Sequence, residues 1–332
     1  MSYKGSYTTA AIASVGVIGG AYAAYHIYNK LQKPKLPEEW RQVGTLKNLY
    51  IYPIKSCGPV VINSLECTLL GLRSGWLRDR VLMIVDSKSN FVTARVYPDL
   101  LRVEPAVNNS VLTMKHHELG TLSVNLAEVA ALQSPKTATV WSAPVPVYDC
   151  GDEASEWFSK LLDKPPGTMR LVYYASQNCR SGKFHNKSYK FGKNDTGAFT
   201  DEVSFNLINE ASVDELNTRL TDCVACHQHF RPNFVVDGAQ PYDEDNWKFV
   251  KIGENIFEVI KPCTRCVMTT IDPETGSRHA RAEPVETLKT YRLTEDPIKR
   301  KSERNSPRLG LQMALRSPPG GRISLNDPIY VA

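Results

Sequence analysis

Short apolar runs dominate the pattern of hydrophobic positions between residues 44 and 175. They are rich in β-branched and aromatic residues and alternate with polar, turn-forming stretches, which is typical of β-strands. The runs cover residues 49–54, 60–65, 81–85, 91–94 and 137–141. The polar residues 86–90 between two of these runs predict a hairpin connection. The first clear helix is predicted over residues 154–162, whose apolar side chains fall on one side.

The second half of the chain alternates strands with short helices. Strands are predicted over residues 204–208, 233–236, 247–252 and 256–260, and near Ile329. Helices are predicted over residues 212–220 and 285–291, the first of them with a capping box formed by Ser212 and Glu215. The β-branched residues 267–271, which follow a pair of cysteines, predict another strand. This pattern indicates an α+β, β-rich fold.

A long uncharged segment lies near the N-terminus. The 25 residues between Lys4 and Lys30 carry no formal charge, and a segment of that length can span a bilayer. The segment is longer than the apolar region of a typical signal peptide, so a signal anchor is favoured over a cleaved signal. One lysine precedes it and several cations follow it: Lys30, Lys33, Lys35 and Arg41. This bias predicts that the bulk of the protein faces the cytosol.

Composition narrows the class of protein. At 332 residues the chain can form more than one domain. A formal net charge of +5 is compatible with an acidic partner or an anionic membrane, but is too small to indicate nucleic-acid binding. Eight cysteines are too few for a secreted disulfide scaffold. The sequence contains neither a P-loop nor a dinucleotide-binding fingerprint, so nucleotide-binding folds have no support.

Four of the cysteines form two C-x-x-C pairs, Cys223/Cys226 and Cys263/Cys266. Together they could bind zinc with four thiolates, although 36 residues separate the pairs and zinc ribbons have shorter spacings. They could also be reduced cysteines that pack as small hydrophobic residues. A third possibility is that one thiolate, beside a guanidinium that lowers its pKa, binds a metal at a strand end.

Cations at several predicted strand ends favour that third possibility. Lys55, Arg80 and Arg231 each lie where a strand begins or ends, and Arg265 lies between the second pair of cysteines. A guanidinium matches phosphate geometry with two hydrogen bonds. One soft thiolate together with several phosphate-binding cations fits a metal that is held by an organic, phosphorylated cofactor. The zinc and packing alternatives stay open at this point.

Six motifs, taken together and in order, resemble the MOSC-domain family and, within it, the mitochondrial amidoxime-reducing components. They are Ile51-Tyr52-Pro53-Ile54-Lys55-Ser56-Cys57, the stretch from Gly71 to Arg80, Thr93-Ala94-Arg95, Asn209-Glu210-Ala211-Ser212, Phe230-Arg231-Pro232-Asn233, and the stretch from Cys263 to Gly276. The resemblance covers residues 44–332. It implies a membrane helix, a β-rich MOSC N-terminal domain and a MOSC β-barrel domain.

The resemblance also divides the chain. The predicted segments are a tail (1–7), a transmembrane signal anchor (8–29), a tether (30–43), a MOSC N-terminal domain (44–175), a basic connector (176–200) and a MOSC domain (201–332). The connector carries Arg180, Lys183, Lys187, Lys190 and Lys193. It is expected either to be a solvated loop or to dock an acidic protein.

The cofactor implied by the resemblance is molybdenum bound to a molybdopterin. Cys266 would be the catalytic residue and the ligand of the metal. The residues that would contact the rest of the cofactor are Lys55, Ser56, Arg80, Asp201, Arg231, Asn233, Thr264 and Arg265. The sequence departs from the family pattern at Glu202 and Val203, and an expected aromatic residue is missing near residues 311–312, so nothing is carried over there.

The implied activity is the reduction of small N-hydroxylated compounds, namely amidoximes, hydroxylamines and N-oxides. The electrons would come from NADH through cytochrome b5 reductase and cytochrome b5. The implied location is the mitochondrial outer membrane, with the catalytic body facing the cytosol and no nucleic-acid partner. Two alternatives are a sulfur-carrying MOSC protein in cofactor maturation and a binding module stabilised by a four-cysteine zinc site.

Overall fold

The computed structural model describes residues 35–180 and 188–332. The predicted tail and anchor, most of the tether, and Lys183 and Lys187 of the connector lie outside the described residues. Among the described residues, no helix is long and apolar enough to cross a membrane. Arg41–Ala332 form the larger of the chain's two units.

The described part of the larger unit contains nineteen strands. They are β1 (Arg41–Ile51), β2 (Val60–Val61), β3 (Ser64–Thr68), β4 (Gly71–Ser74), β5 (Leu77–Arg78), β6 (Leu82–Val85), β7 (Glu104–Asn108), β8 (Val111–His116), β9 (Gly120–Asn125), β10 (Lys136–Val140), β11 (Ala143–Asp149), β12 (Arg170–Tyr174), β13 (Phe205–Asn209), β14 (Phe234–Asp237), β15 (Phe249–Ile252), β16 (Asn255–Thr264), β17 (Arg308–Leu315), β18 (Arg322–Ser324) and β19 (Pro328–Val331). The β-rich prediction is confirmed.

The largest sheet closes into a barrel. Its strand order is β14-β13-β17-β16-β15-β19-β1-β2, and β14 also pairs with β1, which closes the ring. Inside, Phe205, Phe234 and Phe257 pack with ring centroids 5.0–5.8 Å apart. Alternating burial along β16 follows the period of two that a sheet with one core-facing side requires. Barrel closure therefore uses a strand from the first half of the chain.

Two smaller sheets contribute to a second core, and a third small sheet packs on the core of the barrel. The second core is formed by the antiparallel sheet β10-β11-β12-β6 and the meander β7-β8-β9, whereas the sheet β18-β3-β4-β5 contributes Leu65, Leu72 and Ile323 to the barrel core. Two helices, α1 (Leu126–Ala131) and α2 (Asp152–Leu161), also contribute to the second core. The predicted helix at 154–162 is confirmed, whereas α1 was not predicted. The predicted strand at 91–94 is wrong, because only Phe91 makes an isolated bridge, to Val85, across a turn closed by Asp86.

Four further helices lie in the second half: α3 (Glu210–Arg219), α4 (His227–Phe230), α5 (Val285–Lys289) and α6 (Pro297–Glu303). The predicted capping box of α3 is wrong. Asn209 is the N-cap and accepts a hydrogen bond from the Ala211 amide (3.2 Å). Ser212 lies inside the helix and donates to the buried Glu244 instead (2.8 Å). An asparagine at a strand end serves both as the last strand residue and as a cap.

The predicted strand at 267–271 is also wrong. Val267–Thr270 form a 3-10 helix directly after Cys266. The Thr269 hydroxyl donates to the Cys266 carbonyl (2.9 Å), and the Thr270 hydroxyl donates to the Val267 carbonyl (2.8 Å). Such local hydroxyl bonds compete with strand pairing. The turn leaves Cys266 between the end of β16 and a helical turn.

Candidate functional site

Strand ends and loops of the larger unit enclose a cavity of about 410 Å³. All nine residues that the sequence singled out line it: Lys55, Ser56, Arg80, Asp201, Arg231, Asn233, Thr264, Arg265 and Cys266. They come from segments far apart in the chain. Arg95, Trp141 and Arg180 also line the cavity, and the sequence-based set of site residues did not include them.

Asp201 is the centre of a polar cluster. Its carboxylate contacts Lys55, accepts a hydrogen bond from Arg95 Nη2 (2.6 Å) and accepts another from the indole N–H of Trp141 (3.1 Å). Burial would raise the pKa of Asp201, but Lys55 and Arg95 outweigh it and hold that pKa well below its usual range. The carboxylate is therefore ionised at neutral pH.

Lys55 has a buried side chain that is held beside the Asp201 carboxylate. Its side chain is 6% exposed, and its ammonium also donates to the Phe199 carbonyl (2.9 Å). Burial lowers the pKa of Lys55 to about 8, although the neighbouring Asp201 partly offsets this effect. The sequence placed Lys55 at a strand end, and its backbone is fixed there because the Lys55 amide donates to the Leu82 carbonyl (2.7 Å).

Two arginines enclose the ring of Tyr52. The guanidinium carbon of Arg231 lies 4.2 Å from the ring centroid and that of Arg80 lies 4.6 Å from it. Such cation–π contacts hold guanidinium groups in fixed planes. Arg80 also pairs with the fully buried Asp79 (2.5 Å), whereas burial lowers the pKa of Arg231 to about 10. Both cations are thus fixed before any ligand binds.

Asn233 lines the cavity, but its side chain is engaged with protein groups. Its amide nitrogen donates to the Tyr50 carbonyl and to Asp79 (3.2 Å each), and its amide oxygen accepts from the Asn206 amide (3.1 Å). Asn233 therefore helps to orient Asp79, which in turn holds Arg80.

Arg265 anchors the cysteine loop. Its guanidinium donates to the Leu309 carbonyl (2.7 Å from Nε) and to the Phe230 carbonyl (2.9 Å from Nη1). Burial lowers its pKa. These bonds tie β16 to the segment before Arg231. The thiol of Cys266 is only partly buried, and Arg95 interacts electrostatically with both this thiol and Asp201.

Four cavity residues have a left-handed backbone although none is glycine. Their φ angles are +72° at Ser56, +48° at Arg80, +48° at Trp141 and +51° at Arg231. Each such conformation costs about 1–3 kcal/mol, and natural proteins concentrate these residues at functional sites. Side-chain patterns cannot reveal this feature.

The charges of the lining fit an anionic ligand. Six cationic residues and two carboxylates line the cavity. Among the described residues, Arg180 Nη1, Arg231 Nη2 and Gln312 Oε1 are buried without a hydrogen-bond partner. A buried polar atom without a partner costs about 1–3 kcal/mol. A ligand with anionic oxygens and polar ring atoms would satisfy these groups, and the Cys266 thiolate could bind a metal that this ligand holds.

The positions that depart from the family pattern also lie at the cavity. Glu202 pairs with the buried Lys261 (2.6 Å). Gln312 occupies the strand on which an aromatic residue was expected, and it donates weakly to the Cys263 sulfur (3.6 Å). Both residues therefore make contacts within the protein.

The four-cysteine zinc site is not formed. Within the described part of the chain, the side chains of Asp222, Cys223 and His279 lie close together, whereas no three of the four thiols do. That trio is satisfied internally: Asp222 pairs with Arg281, and His279 Nδ1 accepts backbone N–H groups.

Known proteins are similar to this chain along most of its length. The chain matches the model described as MOSC N-terminal beta barrel domain over residues 43–165 and the MOSC domain over residues 194–330. It is 35% identical to "Mitochondrial amidoxime-reducing component 1" of Homo sapiens, over 88% of this chain and 84% of that protein. It is 35% identical to the protein of the same name in Mus musculus (90% and 85%) and to "Mitochondrial amidoxime reducing component 2" of Bos taurus (90% and 86%).

Proposed function

This chain belongs to the MOSC-domain family, among the mitochondrial amidoxime-reducing components, and from that membership and its cavity we propose that it is a molybdenum-cofactor-dependent reductase of N-hydroxylated compounds. The observation that carries the proposal is a single cavity that joins one accessible thiol to an excess of fixed cations. Amidoximes and hydroxylamines are the substrates that this activity implies, with amidines and amines as products.

The protein residues divide the work of binding. Cys266 would hold the molybdenum through its thiolate. Lys55, Ser56 and Arg231 would hold the phosphate and the pterin, because a cation and a hydroxyl at fixed strand ends bind phosphate oxygens. Arg80 and Arg265 would support these residues indirectly, since Arg80 bonds to Asp79 and Arg265 bonds to backbone carbonyls. Thr264 and Asn233 complete the lining.

When bound, the cofactor supplies the two-electron chemistry that removes oxygen from the N–O bond. The chain contributes the surroundings. Asp201, held ionised by Lys55 and Arg95, is a hydrogen-bond acceptor for an N–OH or amidine N–H group. Arg95 donates to this carboxylate and interacts electrostatically with Cys266, so the acceptor and the proposed metal ligand share one neighbouring cation.

Metal analysis of the purified protein tests the proposal. The unmodified chain should contain molybdenum in a stoichiometric amount and reduce an amidoxime, and the Cys266→Ala variant should lose both while it keeps its thermal unfolding midpoint. The matched control is Cys263→Ala, which changes the other thiol of the same motif and should keep its molybdenum. Molybdenum retained in Cys266→Ala would contradict the ligand assignment. A persulfide on Cys266 without molybdenum would support a sulfur carrier instead.

The electron donors are part of the proposal: NADH, cytochrome b5 reductase and cytochrome b5. The basic connector is the proposed docking surface for the acidic cytochrome. Lys190 and Lys193 are exposed, and the connector lies against α6, since Ser188 and Ser302 share a hydrogen bond of 3.0 Å. That helix carries Lys299, Arg300 and Lys301, which add positive charge beside the described part of the connector.

Charge reversal tests the docking surface. Changing Lys187, Lys190 and Lys193 to Glu should slow turnover driven by cytochrome b5 and weaken its salt dependence, because rim charges control association rates. Turnover driven by a small chemical reductant is the control and should not change. Equal cytochrome-driven rates at low salt would rule this surface out. The proposed location is the mitochondrial outer membrane, with residues 8–29 as anchor and the catalytic body in the cytosol.

A further inference from the structure

The hairpin between β10 and β11 places a tryptophan at the cavity in a strained conformation. Val140 pairs with Ala143, so Trp141 and Ser142 form a two-residue loop. Both have positive φ angles, +48° and +65°. Loops of this geometry normally contain Asn and Gly, because a left-handed backbone is costly for other residues. A large aromatic residue at this position is therefore a conformational cost that the turn itself does not explain.

The contacts of the indole lead directly to the proposed active site. Its N–H donates to Asp201 (3.1 Å), and the guanidinium carbon of Arg95 lies 5.3 Å from its ring centroid. The ring of Phe91 packs on it with centroids 4.9 Å apart. Arg95 also interacts electrostatically with Cys266, so the indole and the thiol share one neighbouring cation.

The indole is nevertheless not buried. Trp141 is 38% exposed and lines the cavity together with Val140, Ala143 and Met268. These four residues are apolar, although six cationic residues share the same lining. Asp201 faces the same space. A ligand that offers N–H or O–H groups to Asp201 would thus place its substituent beside an aromatic surface.

We propose that Trp141 is the specificity-determining residue of the cavity, and that it favours N-hydroxylated substrates whose N–OH-bearing carbon carries a flat aromatic group. This inference rests on the proposed function. The aromatic group packs against the exposed part of the indole while Asp201 accepts a hydrogen bond from the amidoxime. Strain at the loop is maintained because only this conformation brings the indole to Asp201 and Arg95.

The test compares an aromatic substrate, benzamidoxime, with an aliphatic one, acetamidoxime. An aromatic pair contributes about 0.5–1.5 kcal/mol beyond burial, so Trp141→Ala should lower the ratio of kcat/KM for the two substrates by roughly fivefold. Trp141→Phe keeps a ring and loses the hydrogen bond, so it should keep that ratio within about threefold. The ratio cancels any loss common to both substrates, including disturbance of Asp201.

Two further measurements isolate the contribution of the indole. Ser142→Gly relaxes the same loop and keeps the indole, so it should keep the substrate ratio. Benzamidine, the aromatic product, should quench tryptophan fluorescence in the unmodified chain and quench it much less in Trp141→Phe. An unchanged substrate ratio in Trp141→Ala, or equal quenching in both proteins, would overturn the inference. If the molybdenum-loaded protein reduced neither substrate, the proposed function would fail, and the quenching experiment would still decide the role of Trp141.

Discussion

Glu244 makes the stability of this protein depend on pH in an unusual direction. Its carboxylate is fully buried, and neutral groups supply its hydrogen bonds: Asn209 Nδ2 at 2.9 Å and Ser212 Oγ at 2.8 Å. Burial raises the pKa of Glu244 from 4.5 to about 7, because these donors replace only part of the lost hydration. The folded protein therefore holds a proton on Glu244 at mildly acidic pH.

The sign of the effect follows from the two protonation states. Below pH 4.5 the carboxyl group is protonated in both the folded and the unfolded chain, and its burial carries no ionisation cost. Between pH 4.5 and about 7 the unfolded chain releases the proton and the folded chain does not, so stability falls as the pH rises. Above about pH 7 the loss of folding stability is complete, and for a pKa shift of this size it is roughly 3 kcal/mol.

Glu244→Gln should remove this dependence. Glutamine is neutral at every pH, and its amide can accept from Asn209 and donate to the Ser212 hydroxyl. The variant should have nearly the stability of the unmodified protein at about pH 4.5 and be about 2–3 kcal/mol more stable at about pH 8. Urea unfolding followed by fluorescence, repeated from about pH 4.5 to about pH 8.5, gives the free energy of unfolding at each pH.

The control variant is Glu254→Gln, because the Glu254 side chain is 93% exposed. It should leave the dependence on pH unchanged. A pH profile of Glu244→Gln that runs parallel to that of the unmodified protein would refute the reasoning, as would a lower stability of this variant at about pH 8. Either result would mean that Glu244 is ionised in the folded state at little cost.

Three other predictions concern the cavity and metals. Asp201→Asn should lower the free energy of unfolding by about 2 kcal/mol at neutral pH, because Lys55 and Arg95 lose their shared carboxylate. The partial exposure of this carboxylate limits the loss of stability. An unchanged urea unfolding curve would argue against a stabilising role of the cluster. Arg265→Lys should lower the free energy of unfolding by about 2–3 kcal/mol in the same assay, since one ammonium cannot reach both the Leu309 and Phe230 carbonyls. A variant with unchanged stability would contradict the anchoring role of Arg265. A zinc chelator should leave the melting temperature unchanged; a large drop would restore the four-cysteine zinc hypothesis.

Local patterns predicted many of the strands and the cations at their ends, whereas the resemblance to the MOSC-domain family supplied other cavity residues such as Asp201. The short apolar runs overlap β1, β6 and β16, and motif residues such as Lys55 and Arg231 lie together in the structure. Where prediction failed, local sequence was ambiguous. The β-branched residues after Cys266 suit a strand, but two threonine hydroxyls close helical turns there, and only the finished loop shows which tendency prevails.

The cavity residues that sequence reasoning missed share a different property. Trp141 stands in an ordinary strand–turn–strand pattern, and its partner Asp201 is 60 residues away. Arg180 follows a polar stretch that fits a solvated loop equally well, yet its side chain is buried. No local signal distinguishes such residues from surface residues, because their role arises from packing between segments that are distant in the chain.

The pairing of β1 has a consequence for how the chain is made. Tyr50 lies opposite Val61 and Leu49 opposite Phe234, but Arg41 lies opposite Val331, so the first half of β1 gains its partner β19 only at the end of synthesis. Until then that part of β1 exposes unpaired backbone groups, which invite pairing with other chains. Contacts between such distant segments also slow folding. Assembly of the barrel should therefore be a late, post-translational event that depends on the last strand, β19, and a nascent chain that stalls before it should be prone to aggregation.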